Sequence, residues 1–259
     1  MNILFIGDIV GRPGREAVAK LLPKIKKEHK IELVIVNAEN AAGGAGITPN
    51  VVKELFGYGC DVLTSGDHIW DRREILDIID RQENLLRPAN LVEGLPGKGY
   101  CIVSLQNDVK VGVINLQGRV FMSSIECPFR TVTRIIEKIK PQTSIILVDI
   151  HAEATSEKIA LGYFLDGQVS ALIGTHTHVQ TADEKILPQG TACITDVGMA
   201  GPCDSVIGQR KEKIIERFLT GMPTRFEVAS DDIQLQAVIL EIDPKTGKAN
   251  SIQRLKRRL

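Results

Sequence analysis

Short apolar runs alternate along this chain with stretches of helical spacing, and that alternation restricts the fold more than any other feature. Residues 2–7, 33–36 and 61–64 read as buried strands. Helical patterns at 15–28 and 49–56 lie between them. Strand and helix in turn argue for an α/β architecture. Pro23 predicts an irregularity in the first helix. Thr48 and Pro49 form a cap followed by proline at the first helical position. Asp71-Arg72-Arg73-Glu74 has capping-box spacing and predicts a helix to about residue 80.

The middle of the chain departs from this rhythm. Residues 100–105 and 109–116 alternate around Gln106-Asn107-Asp108, which predicts an antiparallel hairpin. Further strands are expected at 144–148, 169–174 and 191–195. Helices are expected at 156–165, with Thr155 as its cap, and at 208–219. A long strand at 234–242, a turn at 243–247 and a last strand near 251–255 close the pattern. No low-complexity linker or internal repeat divides it. One domain spanning 1–259, with two sheets between helices, is the expectation.

The bulk numbers exclude several classes. Lys plus Arg and Asp plus Glu are 32 each, so nothing advertises a nucleic-acid or anionic-membrane partner. No segment reaches the roughly 18 to 20 consecutive apolar residues of a membrane span. The N-terminus lacks a basic region and reads as a core strand, not a signal peptide. The five cysteines, at 60, 101, 127, 193 and 203, form no C-x-x-C pair. Reduced thiols in a cytoplasmic protein are the expectation.

Polar residues collect at the ends of the strand runs. Asp8 ends the first, and Asn37-Ala38-Glu39-Asn40 the second. Asp67 and His68 follow the third. Asp149 and His151 end the 144–148 run, and His176-Thr177-His178 the 169–174 run. In α/β sheets a ligand site lies beyond the carboxyl ends of the strands. Four of the five histidines sit there, and His29 reads as surface. In an extended backbone His176 and His178 would face the same side. Asp149 or Glu153 is placed to orient His151 through its second nitrogen. Trp70 reads as core. The glycine-rich loop 41–46 lacks the Lys-Ser/Thr of a phosphate-binding loop. Arg12 and Arg15 read as a solvated helix start.

Carboxylate, amide and imidazole together suit iron, manganese or zinc better than magnesium or calcium. There are too many donors for one closed tetrahedral site. Two ions roughly 3.5 to 4 Å apart, sharing a carboxylate, would use them all. His68 then remains for proton transfer to a leaving oxygen.

At these residues the chain resembles a known family. Gly7-Asp8-Ile9-Val10-Gly11, Asn37-Ala38-Glu39-Asn40, Gly66-Asp67-His68-Ile69-Trp70-Asp71, His151-Ala152-Glu153-Ala154-Thr155-Ser156-Glu157-Lys158 and Gly174-Thr175-His176-Thr177-His178 are similar to the motif set of the YmdB-like metallophosphoesterases. These are a bacterial branch of the calcineurin-like phosphoesterase superfamily. The resemblance runs from residue 3 to about 208. It implies a four-layer α/β/β/α sandwich of two mixed sheets and a dinuclear centre of iron or manganese type. It also implies Asp8, Asn40 and His178 on one metal, Asp67, His151 and His176 on the other, Glu39 between them, and His68 as proton donor. The implied activity is hydrolysis of cyclic nucleotides, notably 2′,3′-cyclic AMP, and of other phosphodiesters. Some members are linked to biofilm and motility regulation. One position departs: Gly66-Asp67-His68 stands where the wider superfamily has Gly-Asn-His, which makes this centre more negative.

The expected mechanism is in-line attack by a metal-bridging hydroxide, with His68 protonating the departing oxygen. Two rival readings remain: a metal-dependent amidohydrolase, and a regulatory protein whose metal site is weakly active or vestigial. The long tail strands offer a route to a homo-oligomer.

Overall fold

The computed structural model describes residues 1–105 and 108–259. Its strands are mostly apolar on both faces, and this dictates the layering. In β1 (Asn2–Ile6) and β3 (Ile31–Asn37) the even-numbered residues Leu4, Ile6, Val34 and Val36 pack on Val18, Leu22 and Ile25 of α1 (Gly11–His29) and Val52 and Leu55 of α2 (Pro49–Gly57). The odd-numbered residues Ile3, Phe5, Leu33 and Ile35 point the other way. There they meet Val111 and Val113 of β6 (Lys110–Gln117), Ile145 and Leu147 of β7 (Ile145–His151), and Ile173 of β8 (Ala171–Thr175). The outer face of this second sheet packs on α3 (Pro128–Ile139) and α4 (Thr155–Leu165). Three apolar seams thus separate four layers, α/β/β/α.

The first sheet runs β2 (Asp8–Ile9), β11 (Met199–Pro202), β12 (Ile233–Ile242), β1, β3, β4 (Val62–Thr64), with β13 (Ala249–Arg258) also on β12. The second runs β5 (Tyr100–Ser104), β6, β7, β8, β10 (Ala192–Ile194), β9 (Lys185–Ile186). Strands β1, β3 and β4 are mutually parallel, as are β6, β7, β8 and β10. These are two open, stacked sheets, not the closed barrel that a metal-dependent amidohydrolase would call for. Among the described residues no helix is long and apolar enough to cross a membrane.

Several expectations need correction. The first helix begins at Gly11 and runs through Pro23 without ending. The helix expected after Asp71 is only a short 3₁₀ turn, Arg73–Asp77. Asp71 does not cap it, because its carboxylate is held by the His68 ring, 2.8 Å away. Thr155 makes no capping hydrogen bond and is the first residue of α4. Strands β5 and β6 pair antiparallel, but their turn at Gln106 and Asn107 lies outside the described residues. The tail strands pair with each other, and β12 is further flanked by β1 and β11. The other tail strand, β13, carries Arg254, Lys256, Arg257 and Arg258, charges that discourage edge pairing. Helix α3 was not anticipated, although Val132, Ile135, Ile136 and Ile139 have helical spacing. Helix α5 (Lys211–Thr220) starts three residues later than expected.

The two threonines give a paired test. Thr48 Oγ1 accepts from the Val51 N–H at 3.4 Å, so Thr48→Ala should lose about 1 kcal/mol. Exposed Thr155 makes no cap bond, so Thr155→Ala should stay within about 0.5 kcal/mol of wild type. Urea unfolding of both variants measures the difference.

Candidate metal centre

The carboxyl ends of the parallel strands of both sheets meet at one place. The first sheet and the loops leaving it deliver the oxygen donors Asp8, Glu39, Asn40 and Asp67. The second sheet delivers the imidazoles: His151 ends β7, and His176 and His178 follow β8. All seven residues therefore come together, and His68 stands beside them.

His151 sits at the middle, fully buried. Its Nε2 lies 2.9 Å from Glu39 Oε1, 3.2 Å from Asp67 Oδ1 and 2.9 Å from His176 Nδ1. Asp67 Oδ1 is also 3.6 Å from His176 Nδ1. One donor atom each from Glu39, Asp67, His151 and His176 lies within 4.8 Å of all the others. A second group adjoins it. His178 Nε2 lies 3.6 Å from Asp8 Oδ1 and 3.3 Å from the Asn40 amide. The Asn40 amide donates to Glu39 Oε1 at 3.2 Å, so Glu39 touches both groups.

Each imidazole turns one nitrogen to the cluster and has the other tied. His151 Nδ1 is 2.9 Å from Thr175 Oγ1, whose hydroxyl meets Asp149 Oδ1 at 2.8 Å. His176 Nε2 faces Glu153 at 3.2 Å, and His178 Nδ1 donates to the Ile207 carbonyl at 2.9 Å. Glu153 thus serves His176, not His151, and Asp149 reaches His151 through Thr175. Fixing the second nitrogen sets both ring orientation and tautomer.

The backbone of the His-x-His segment corrects a sequence expectation. Strand β8 stops at Thr175, and His176 and His178 take φ of 98° and 62°. Their convergence comes from a left-handed turn, not from extended alternation. Side-chain-bearing residues hold such angles only when their surroundings impose them.

The charges are as unusual as the geometry. Burial works to raise the Asp8 carboxyl, yet His178 and His151 hold it at about 2. Burial also opposes ionisation of Asp67, but His151 holds that group below the ordinary carboxylate range. His151 is pulled well above its ordinary value: burial resists its charge, but Glu39, Asp67 and Asp8 overcome the resistance. Burial and the neighbouring His151 push His176 down. Burial raises Asp149 to about 7.

These features fit a bound cation. Asp8 Oδ1 is buried with no hydrogen-bond partner, although such groups normally find one. Three carboxylates converge on three ring nitrogens; Asp8, Glu39 and His151 are fully buried, while Asp67 and His176 reach solvent. A proton on His151 satisfies only one pair at a time, whereas a metal ion can satisfy several oxygens and nitrogens together. The mixed donors, with no thiolate among them, suit iron, manganese or zinc.

Sequence reasoning missed several supporting groups. Ser65 N–H donates to Asn115 Oδ1 at 3.0 Å, and Asn115 Nδ2 returns to Ser65 O at 2.9 Å. This clamp ties the Asp67 loop to the second sheet. Thr64 donates to Asp149. The available signal was a polar residue inside an apolar strand run. Arg15 is not the solvated residue expected: it donates to Glu54 at 3.0 Å and to the Ala41 carbonyl at 2.6 Å, bracing the glycine-rich loop. Arg12 pairs with Glu16 on the surface, Trp70 packs against the first apolar seam, and the five cysteines are free.

The sequence profile of the YmdB-like proteins matches residues 4–255. A Bacillus subtilis protein named 2′,3′-cyclic-nucleotide 2′-phosphodiesterase is 50% identical over 255 residues, covering 98% of this chain and 96% of that one. A crystal structure described as a novel phosphatase from Mycoplasma pneumoniae superposes with a TM-score of 0.94 at 35% identity, covering 100% of this chain and 93% of the other. The crystal structure of a hypothetical protein from Thermus thermophilus superposes at 0.93 with 39% identity, covering 100% and 99%.

Gly66 tests how tightly the centre is packed. A Cβ there would overlap the His151 ring. Gly66→Ala should therefore displace that ring and lower stability by about 1–3 kcal/mol in denaturant unfolding. Wild-type stability with an unmoved ring in a crystal structure would show that the loop yields freely.

Proposed function

The chain belongs to the YmdB-like protein family, and on that premise we propose that it is a dinuclear metal-dependent phosphodiesterase acting on 2′,3′-cyclic nucleotides. The observation that carries this reading is the meeting of carboxylates from one sheet with imidazoles from the other, around an unpartnered Asp8 oxygen. The 50% identity to a 2′,3′-cyclic-nucleotide 2′-phosphodiesterase supplies the substrate class.

Asp8, Asn40 and His178 would hold one ion; Asp67, His151 and His176 would hold the other. Glu39, which touches both groups, would lie between them. Iron or manganese fits the donors best, with zinc an alternative. When bound, such ions neutralise charge on phosphoryl oxygens and supply a hydroxide nucleophile near neutral pH.

The chain's own residues do the rest. The His68 backbone N–H donates to Glu39 Oε2 at 3.1 Å, which fixes the loop carrying the ring. Its Nδ1 is held by Asp71 at 2.8 Å, leaving Nε2 for the departing oxygen. Burial works against the imidazolium, but Glu39, Asp67 and Asp71 outweigh it and raise His68 above its ordinary value. A larger protonated fraction at neutral pH suits a general acid. A 2′,3′-cyclic phosphate is a strained monoanion and needs little further activation. Cleavage of its 2′ ester would leave a 3′-monophosphate.

The test is turnover on 2′,3′-cyclic AMP, 3′,5′-cyclic AMP and bis-p-nitrophenyl phosphate, with metal content measured on the same sample. The expected result is preferential hydrolysis of the 2′,3′-cyclic substrate to the 3′-monophosphate. Full metal loading with no turnover on any diester would favour a regulatory protein with a vestigial site. His68→Ala should retain its metal and lose about 10²–10⁴-fold in turnover of the cyclic nucleotide. Undiminished turnover would assign the acid elsewhere.

A further inference from the structure

Lys158 and Asp196 form an ion pair at 3.0 Å, and each is only 1% exposed. The proposed reaction uses neither. Burying two charges is expensive unless their remaining hydrogen bonds are satisfied. Here they are satisfied by the backbone that presents the site residues.

Lys158, on α4, donates to Asp196 and also to the carbonyl of Thr175 at 2.7 Å, the last residue of β8. Asp196 Oδ2 accepts from the Thr177 N–H at 3.0 Å and from its hydroxyl at 2.8 Å. The pair thus grips the turn at Thr175 and Thr177, the residues before and between the two left-handed histidines. The other oxygen, Asp196 Oδ1, accepts from the Gly198 N–H at 2.8 Å. The Gly198 carbonyl in turn accepts from the Asp8 N–H at 3.0 Å. One buried carboxylate is therefore bonded to the turn that carries His176 and His178 and, through one residue, to Asp8.

We propose that Lys158 and Asp196 are positioning residues that impose the left-handed turn at His176 and His178 and keep it in register with Asp8, so that the metal-facing donors are preorganised before any ion binds. The inference rests on the metal-centre reading above. Lys158 anchors Asp196 from the helical layer, so α4 fixes the geometry of a site it does not line. The outer contacts of metal ligands typically govern affinity by about ten- to a hundredfold.

The test uses Asp196→Asn and the double variant Lys158→Met/Asp196→Asn. The double variant leaves no unpaired buried charge, so it keeps the claim testable should the single variant unfold. Three quantities are read on the full chain: melting temperature, Mn²⁺ affinity by chelator competition, and a crystal structure of the metal-free protein. The expected result is a double variant that melts near wild type and binds Mn²⁺ about ten- to a hundredfold more weakly. In its metal-free structure His176 and His178 leave the left-handed region. An unmoved turn overturns the anchoring claim. A moved turn with wild-type Mn²⁺ affinity overturns the link to metal binding. If wild type itself takes up no Mn²⁺, the metal reading falls, and the metal-free structure still decides whether the pair holds the turn.

Discussion

Asp8, Glu39 and Asp67 stand around His151 in a place where a positive charge is required. Glu39 and Asp67 approach the same ring nitrogen from the first sheet, and Asp8 faces the other side of the ring. Like charges this close repel strongly without a cation among them, most of all at Asp8 and Glu39, which are fully buried. Glu39, Asp67 and Asp8 pull His151 towards its charged form, yet Asp8 Oδ1 still finds no hydrogen-bond partner. The proposed metal pair removes this conflict, because a divalent ion brings more charge and accepts several donors at once. The supporting contacts keep these ligands aimed: Thr175 behind His151, Glu153 behind His176 and the Ile207 carbonyl behind His178.

The layered fold makes this arrangement reachable. Parallel strands with apolar side chains on both faces can only be satisfied between layers, which aligns their carboxyl ends on one edge of each sheet. Stacking the two sheets through Phe5, Leu33, Val113 and Leu147 brings the two edges face to face. Acidic residues then come from one side and histidines from the other. Neither sheet alone gathers enough mixed donors to hold an ion pair. The Ser65–Asn115 clamp and the Asn37 amide, 3.3 Å from His151 Nδ1, join the sheets at the same edge.

Much of this was legible in the sequence because the polar residues end apolar runs. Asp8, Glu39, Asp67, His151 and the His176–His178 pair all stood out in that way. What was not legible depended on contacts made only after folding. The turn at His176 and His178 looks like a continued strand until Asp196, nearly twenty residues later, is seen to hold Thr177. Asp71 has the spacing of a helix cap, but the neighbouring His68 ring takes its carboxylate, and the helix shrinks to a 3₁₀ turn. Strands β2 and β11 have two and four residues, too few for any periodicity to register. Helix α3 is different: Val132, Ile135, Ile136 and Ile139 carry its apolar spacing in the sequence itself.

The most direct test of the central claim is anomalous diffraction from crystals of the metal-loaded protein, collected at the iron, manganese and zinc edges. The account predicts two ions per chain, one beside Asp8 and His178 and one beside Asp67 and His176, with Glu39 reaching both. A single ion, or none with Asp8 Oδ1 satisfied by water, would contradict it.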